Sequence, residues 1–250
     1  MTPGLPTEIA ELCQDRSLGS SALLSRFLAL LPELDASQAE SALTELQTAF
    51  PVMAVWVFLQ RRLATGDLSR QAVADLEAEI RTARRKTLDL AVEQLARYDR
   101  LLTISRSSLV EAALVEWAAG REGKVLVGEG LPAGEGRALA GVLAQKGLST
   151  KVVPDWELVD QVSSTDAVVL GADWVMPDWF INKTGSSALV RAARGAGKQV
   201  IVLAEAFKAT TEQPFNERAC YQIEQISREI RIMRVFEWIP LTDGIILLAA

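Results

Sequence analysis

Short apolar runs alternate with amphipathic segments from residue 101 to residue 248, and this alternation constrains the fold more than any other feature of the sequence. The runs are four or five residues long and rich in Val, Ile and Leu, which is typical of strands buried in a parallel sheet. Strands that alternate with crossover helices predict a doubly wound, Rossmann-like α/β domain over residues 100–250. The predicted strands are 101–104, 124–127, 150–153, 167–170, 199–203 and 245–248.

The first 99 residues have a different pattern, which predicts a separate N-terminal helical domain. The longest helix is expected to begin after a Ser69 cap and to run to about Tyr98, with one apolar stripe opposite a charged face. Ser37 is expected to start another helix, with Glu40 completing a capping box. Pro51 is placed at a helix start, where its missing N–H is tolerated best.

The amino-acid composition limits which catalytic groups and which partners are possible. The 250 residues include no histidine, which excludes His-based triads and His-ligated metals, so proton transfer would need a carboxylate, Lys, Tyr, Cys or water. The net charge of −6 argues against a nucleic-acid or membrane-surface partner. Cys13 and Cys220 lack metal-ligand spacing, so neither a zinc site nor a disulfide framework is predicted. We expect a cytoplasmic protein without metal or cofactor, since neither a signal peptide nor a bilayer-spanning run is visible.

The segment 166–187 combines an acid with a candidate phosphate site. Asp173 follows the strand 167–170, at the edge where open α/β sheets bind ligands. A loop with two tryptophans is expected next, and the segment 182–187 then leads into a helix. A lysine among small residues at a helix start suits an anion. The same spacing also fits an aspartate that caps a loop and a lysine that is merely solvated.

The glycine-rich segment 128–136 lacks the spacing of a dinucleotide fingerprint and is acidic, so we interpret it as a turn-rich loop rather than an NAD site. Several such loops converge at the carboxyl edge of the predicted sheet. Their hydroxyls, carboxylates and lysines fit a phosphorylated sugar, although a polar rim without a ligand would have the same composition. The residues brought to this edge are Ser105, Ser107, Ser108, Glu129, Glu135, Asp173, Asn182, Lys183, Glu205 and Lys208.

The order of five segments resembles one known superfamily. They are LLTISRSS at 101–108, the loop 127–136, Gly-Ala-Asp at 171–173, Ile-Asn-Lys-Thr-Gly at 181–185, and Phe-Glu-Trp-Ile-Pro at 236–240. The superfamily joins methylthioribose-1-phosphate isomerase, ribose-1,5-bisphosphate isomerase and the alpha, beta and delta regulatory subunits of eukaryotic translation initiation factor 2B. The resemblance covers essentially the whole chain and implies a homodimer formed through the C-terminal domain, with Trp238, Ile239 and 245–248 in the sheet or at the interface.

The resemblance also implies roles for individual residues. Asp173 matches the aspartate that acts as acid/base in the isomerases, and the Asn-Lys-x-Gly positions that help hold the substrate are Asn182, Lys183 and Gly185. Ser105 stands where the isomerases have a catalytic cysteine, and a serine hydroxyl is far less acidic than a thiol. Three family arginines are replaced, by Leu18, Phe50 and Leu131, and a family glutamine is replaced by Glu135.

Two functions follow from this resemblance. The first is a protein like the initiation factor 2B subunits that binds a phosphorylated sugar or nucleotide, with impaired or absent isomerase chemistry. The alternative is an active aldose–ketose sugar-phosphate isomerase. The predicted substrate-binding residues are Asn182, Lys183, Gly185, Ser107, Ser108, Glu135 and Lys208, and the predicted catalytic residues are Asp173 and Ser105.

Overall fold

The structure is a computed structural model that describes residues 6–65, 67–212, 236–241 and 244–250. Helices form the first part of the chain, and a parallel sheet flanked by helices forms the second, so the predicted α/β fold class is confirmed. The helices are α1 (Thr7–Gln14), α2 (Ser20–Leu30), α3 (Ala36–Ala49), α4 (Val55–Arg62), α5 (Arg70–Leu95), α6 (Ser108–Trp117), α7 (Glu135–Gln145), α8 (Asp155–Leu158) and α9 (Ser186–Gly195). The strands are β1 (Arg100–Ile104), β2 (Lys124–Gly128), β3 (Ser149–Val153), β4 (Ala167–Gly171), β5 (Trp174–Val175), β6 (Trp179–Lys183), β7 (Gln199–Ala204), β8 (Phe236–Pro240) and β9 (Ile245–Ala249).

The main sheet has six parallel strands in the order β3-β2-β1-β4-β7-β9. The order reverses direction at β1, which is the topological switch point of doubly wound sheets, and the loops after β1 and β4 both leave the sheet there. Strand β4 is buried along its whole length because helices cover both faces of the sheet. Strand β9 is one of the two edge strands, with β3 at the other edge, so the predicted closing strand completes one side of the sheet.

A second, antiparallel sheet of β5, β6 and β8 corrects the predicted tryptophan loop. The hairpin packs Trp174 and Ile181 against the helical part of the chain, while Val175 and Phe180 belong to the core under the main sheet. Because both of its faces are buried, the segment lacks the alternation of apolar and polar residues that signals a half-buried strand. Asn182 and Lys183 therefore end a strand and do not start a helix.

Three predicted helix boundaries were wrong, and local hydrogen bonding explains the first. Helix α3 is capped by Asp35, whose side chain accepts from the N–H of Gln38 in a reciprocal capping box, so neither Ser37 nor Glu40 has that role. Pro51 lies in a turn, and α4 begins four residues later. The helix predicted at 157–162 is the short α8 followed by a 3₁₀ turn at Val162–Ser164. The helical piece predicted at 223–229 lies outside the described residues.

Helix α5 joins the two parts of the molecule. Ser69 caps it as predicted, accepting from the N–H of Ala72. Its first half packs into the core of the helical part through Val73 and Leu76. Its second half packs into the core of the sheet through Leu88 and Leu95. No helix among the described ranges is long and apolar enough to cross a membrane.

Candidate functional site

A cavity of about 520 Å³ opens at the carboxyl edge of the main sheet, between that edge and the start of α2. Its walls come from the β1–α6, β2–α7 and β4–β5 loops, from the end of β6 and from the segment after β7. The predicted loop convergence therefore occurs, with the helical part closing one side. Eight of the predicted site residues line the cavity: Ser105, Ser107, Ser108, Glu135, Asp173, Asn182, Lys183 and Lys208.

Ser105 occupies an unusual backbone position at the end of β1. Its φ of +63° lies in the left-handed region, which is costly for a residue that carries a Cβ. Its N–H donates to the Gly128 carbonyl at 3.3 Å, and its hydroxyl lies 3.4 Å from a Glu135 carboxylate oxygen. Gly130 is required beside it, because a Cβ there would lie 2.7 Å from the Ser105 Cα. The hydroxyl is thus held against a carboxylate. The sequence has no imidazole, and the described cavity lining contributes no thiol that could activate it.

Lys183 is held by two acceptors from the β2–α7 loop. Its ammonium lies 2.8 Å from a Glu135 carboxylate oxygen and donates at 2.8 Å to the Gly130 carbonyl. Both charged side chains are largely shielded from solvent. The ion pair neutralises the lysine that the sequence singled out as an anion-binding group.

Asp173 connects the cavity with the helical part. Its backbone carbonyl accepts from the Ala54 N–H at 3.0 Å, and its N–H donates to the Ile181 carbonyl at 2.9 Å. These bonds fix the backbone, while the side chain lines the cavity and its carboxylate makes no hydrogen bond or ion pair within the described part of the chain. The carboxylate is therefore available to a ligand.

Asn182 and Gly185 stabilise the wall of the cavity. The Asn182 amide donates to the Ser186 hydroxyl at 2.9 Å, and that hydroxyl donates to the Lys183 carbonyl at 2.7 Å. Gly185 caps α9 with a φ of +101° and packs against Ile104. It does not line the cavity. The start of α9, predicted to seat a phosphate, does not reach the cavity.

Glu129 in the β2–α7 loop and Asp155 at the start of α8 also lie outside the cavity lining. Glu129, predicted at the rim, pairs with Arg137 on α7. The Asp155 carboxylate accepts from the N–H groups of Gly130 and Leu131 at 2.9 and 2.7 Å. These two N–H groups of the glycine-rich loop are consequently occupied, which disfavours a pyrophosphate cradle there. The described residues contain no group of three or more Cys, Asp or Glu side chains suited to a metal ion.

Lys208 belongs to a buried charged triad that sequence reasoning found only in part. Glu205 lies 3.0 Å from the Lys208 ammonium and 3.1 Å from the Arg84 guanidinium. Burial alone would raise the pKa of Glu205, but the two neighbouring cations outweigh it and hold that pKa below its usual range. Arg84 was missed because it lies on α5, 121 positions before Glu205 in the sequence. We had assigned α5 only a packing role.

The start of α2 was also missed. Ser20 and Ser21 line the cavity, and the Ser108 hydroxyl donates to the Ser21 hydroxyl at 3.1 Å. A sequence signal nearby was Leu18, which stands at the position of a family arginine, but no role was predicted for the serine pair after Gly19.

Comparison with known proteins gives the family of this chain. A model described as the Initiation factor 2 subunit family matches residues 6–235. A Pyrococcus abyssi protein named putative translation initiation factor eIF-2B subunit 2-like is 26% identical over 249 residues, covering 94% of this chain and 90% of that protein. The translation initiation factor eIF2B subunit beta of Schizosaccharomyces pombe is 27% identical over 136 residues, covering 53% of this chain and 35% of the relative.

Solved structures show the same fold. The translation initiation factor eIF-2B of Pyrococcus horikoshii OT3 superposes with a TM-score of 0.77 at 23% identity, covering 98% of this chain and 95% of that one. A chain of the tetrameric eIF2B-beta2-delta2 complex from C. thermophilum superposes with a TM-score of 0.71 at 22% identity, covering 94% and 84%. With the family model matching nearly the whole chain, this protein belongs to the Initiation factor 2 subunit family.

Proposed function

We propose that this member of the family binds a phosphorylated sugar or nucleotide in the cavity and has lost, or nearly lost, isomerase chemistry. The observation that carries the proposal is the Lys183–Glu135 ion pair beside Ser105. The cavity has polar groups in its lining that suit a small ligand. Its reactive thiol, however, is absent, and the lysine from the Asn-Lys motif is neutralised.

Three features support ligand binding. The volume of about 520 Å³ is within the range of small-molecule sites. The Asp173 carboxylate lines the space as a hydrogen-bond acceptor for sugar hydroxyls. The starts of α2, α6 and α7 all contribute to the lining, and helix N-termini favour anions.

Proton transfer is the step of an isomerase reaction to which this site is least suited. Aldose–ketose exchange needs an acid and a base that move a proton between neighbouring carbons, and Asp173 supplies one of them. Ser105 would have to supply the other, but a hydroxyl gives up its proton poorly near neutral pH without an activating base. Glu135, the carboxylate nearest to this hydroxyl, is engaged by Lys183.

Phosphate binding is also weakened by the replacement of the family arginines with Leu18, Phe50 and Leu131. A guanidinium donates charge-assisted hydrogen bonds to phosphate oxygens, and these apolar side chains donate none. Each such hydrogen bond contributes about 1.5–3 kcal/mol to binding, so a phosphorylated ligand should bind more weakly here than in the isomerases.

The test is a two-stage screen of the purified chain. Melting temperature is measured with ribose 5-phosphate, ribose 1,5-bisphosphate, methylthioribose 1-phosphate, AMP and GMP, because a ligand that binds only the folded state raises it. Each of the three sugar phosphates that raises it is then assayed for conversion to the ketose. A melting shift without turnover is expected. Absence of binding to all five compounds would refute the proposal.

The same screen decides the alternative of an active isomerase. Asp173→Asn removes the acid/base and leaves the backbone bonds to Ala54 and Ile181 unchanged. Turnover by the parent that this substitution abolishes would establish catalysis through Asp173. Equal turnover by parent and variant would remove Asp173 from the chemistry.

We also propose that the protein forms a homodimer through residues 100–250. Strand β9 supports this proposal because it is an edge strand of the main sheet, and its residues Ile245 to Leu248 are only partly buried. An exposed apolar edge strand is prone to pair with another chain. Light scattering coupled to size exclusion should give twice the chain mass of 27.2 kDa, and Leu247→Lys should shift it toward the monomer.

A further inference from the structure

Strand β3 is the outermost strand of the main sheet and has a free edge, because it pairs with β2 alone. The Ser149 N–H donates to the carbonyl that precedes β2 at 3.3 Å, and the Val153 carbonyl accepts from the N–H that follows β2 at 3.1 Å. The backbone groups of a strand alternate in direction, so those of Thr150 and Val152 point away from β2. No other strand in the described ranges pairs with this edge. Two N–H groups and two carbonyls are therefore presented to an approaching chain.

The same edge carries unpaired positive charge. The side chain of Val153 packs with Leu158 of α8, and by the alternation of side chains Lys151 is on that same face of the sheet. Lys124 of β2, which is opposite Ser149 in the register, is on this face as well. Both lysines are exposed, and neither forms an ion pair within the part of the chain that the structure describes. A strand paired with β3 would place one of its side chains beside Lys151, where a carboxylate is favoured.

An exposed apolar patch follows at the carboxyl end of this edge. Trp156 on α8 is 79% exposed and Leu131 in the β2–α7 loop is 53% exposed, the two highest values among the large apolar side chains that the structure describes. The Asp155 carboxylate accepts from the Leu131 N–H at 2.7 Å, which holds the loop against the start of α8. An apolar side chain that covered this patch would remove apolar area from water, which is favourable.

The charge at this edge selects against a second copy of the chain. If two β3 strands paired about a two-fold axis through their outward groups, Lys151 would lie opposite the same lysine of the other copy. Like charges directly opposite each other destabilise a sheet, and a lysine in an edge strand is a common barrier to such self-pairing. A strand of opposite charge does not meet this barrier.

We propose that β3 is a docking site for an extended acidic segment of a partner protein. The segment adds a strand to the six-stranded sheet through the outward backbone groups of Thr150 and Val152. It places a carboxylate beside Lys151 and, toward the carboxyl end of β3, an apolar side chain against Trp156 and Leu131. The site lies outside the cavity and is independent of any ligand there.

The experiment selects peptides from a phage-displayed library of random linear sequences, using the full chain and its variant Lys151→Glu as separate targets. Peptides enriched on the parent should carry an acidic residue two or four positions from an aromatic or aliphatic one, because side chains on one face of a strand are an even number of positions apart. On Lys151→Glu the acidic position should become basic. An acidic position that persists on the variant would remove Lys151 from the site and overturn the proposal.

The most enriched peptide is then synthesised, and its affinity is measured by calorimetric titration. Lys151→Glu and Trp156→Ala should each weaken the binding at least tenfold, and both residues are exposed, so the fold should tolerate the changes. The matched controls are Lys86→Glu and Leu90→Ala, which make the same changes at exposed residues of α5. They should leave the affinity within twofold of the parent.

Strand addition has its own readout in amide hydrogen exchange. When the peptide binds, exchange should slow at least tenfold at the N–H groups of Thr150 and Val152, because these groups become hydrogen-bonded. The Lys151 N–H already faces β2 and should change much less. Unchanged exchange at both Thr150 and Val152 would overturn strand addition.

Three further results would overturn the proposal. They are a selection without enriched peptides, a consensus that lacks either the acidic or the apolar residue, and an affinity that the edge variants leave unchanged. A lower molar mass of Trp156→Ala than of the parent in light scattering would assign the surface to a second copy and would also overturn it. None of these results depends on the cavity, so failure of this proposal and failure of the proposed function are distinguishable.

Discussion

Lys183 and Glu135 approach to 2.8 Å across the cavity wall, joining a strand end to a helix start that lies 48 positions earlier in the chain. Glu135 stands where the resembled superfamily has a glutamine, so the carboxylate that neutralises the lysine is specific to this departure. The ion pair places a paired charge in the wall of the cavity at this position. Substitution of Glu135 tests the effect of this ion pair directly.

Glu135→Gln should strengthen phosphate binding. The substitution removes a carboxylate from the wall and leaves Lys183 with the Gly130 carbonyl as its remaining described acceptor. One repulsive charge fewer and one cation freed predict an affinity about tenfold tighter for inorganic phosphate, which corresponds to about 1.4 kcal/mol. Calorimetric titration measures the change. Weaker binding by the variant would mean that Glu135 supports the ligand instead of opposing it.

Gly136→Ala should destabilise the fold at the base of the same loop. A Cβ at this position would lie 1.8 Å from the Gly128 carbonyl oxygen, so β2 and α7 would have to move apart. We expect a loss of roughly 3 kcal/mol in the free energy of unfolding, measured by urea denaturation.

Gly141 provides the matched control for this substitution. It lies in the same helix, and a Cβ there meets no atom within 4 Å. Gly141→Ala should therefore stabilise the protein by about 0.5–1 kcal/mol through helix propensity. Similar effects of the two substitutions would contradict the close approach of α7 to β2.

Glu205→Gln should change the pH dependence of stability. The carboxylate has a depressed pKa in the folded state, so it stabilises the fold above its ordinary pKa of 4.5, and this contribution is lost as the pH falls through the folded-state pKa. At pH 7 the variant should be about 3 kcal/mol less stable, because the buried Lys208 and the partly buried Arg84 lose their partner. The difference in the free energy of unfolding between parent and variant should narrow steadily below pH 4.5, as the Glu205 carboxylate of the parent becomes protonated.

Glu33→Gln is the comparison for this pH profile. Glu33 pairs with Arg70, but both side chains are mostly exposed, so the substitution should change the stability at pH 7 by less than about 1 kcal/mol. Urea denaturation at several pH values gives both curves. A constant difference between parent and Glu205→Gln down to about pH 3 would show that the folded-state pKa of Glu205 is not set by its cations.

Cys13 should react slowly with alkylating reagents. Burial, followed by the neighbouring Glu45 carboxylate, raises the pKa of this thiol from 9.0 to about 11. At pH 8 the thiolate fraction is then about 100-fold lower than for an unperturbed thiol, and the rate of alkylation follows the thiolate. Mass spectrometry of a Cys220→Ser variant treated with iodoacetamide measures the rate at Cys13 alone. Labelling as fast as in a short peptide would show that α1 opens readily.

Much of the fold was predictable because local conformational preferences determine where most of its strands and helices form. The apolar runs of β1, β4 and β7 and the Ser69 cap of α5 were all predicted from sequence. The hairpin at 174–183 was not, since its strands are buried on both faces and show no period of two. The boundary between domains at residue 99 remains a prediction, and α5 packs into both cores.

The sequence by itself determined which segments form the main strands and which loops lie at the carboxyl edge, because periodicity and turn residues report conformation over a few positions. Only the tertiary structure decided which charges meet there. Glu135 neutralises Lys183, while Arg84 joins Glu205 and Lys208 from a helix that gave no functional signal. The physical reason is that a charge interacts across space with whatever the fold brings near it, and sequence separations of 48 and 121 residues carry no trace of that proximity.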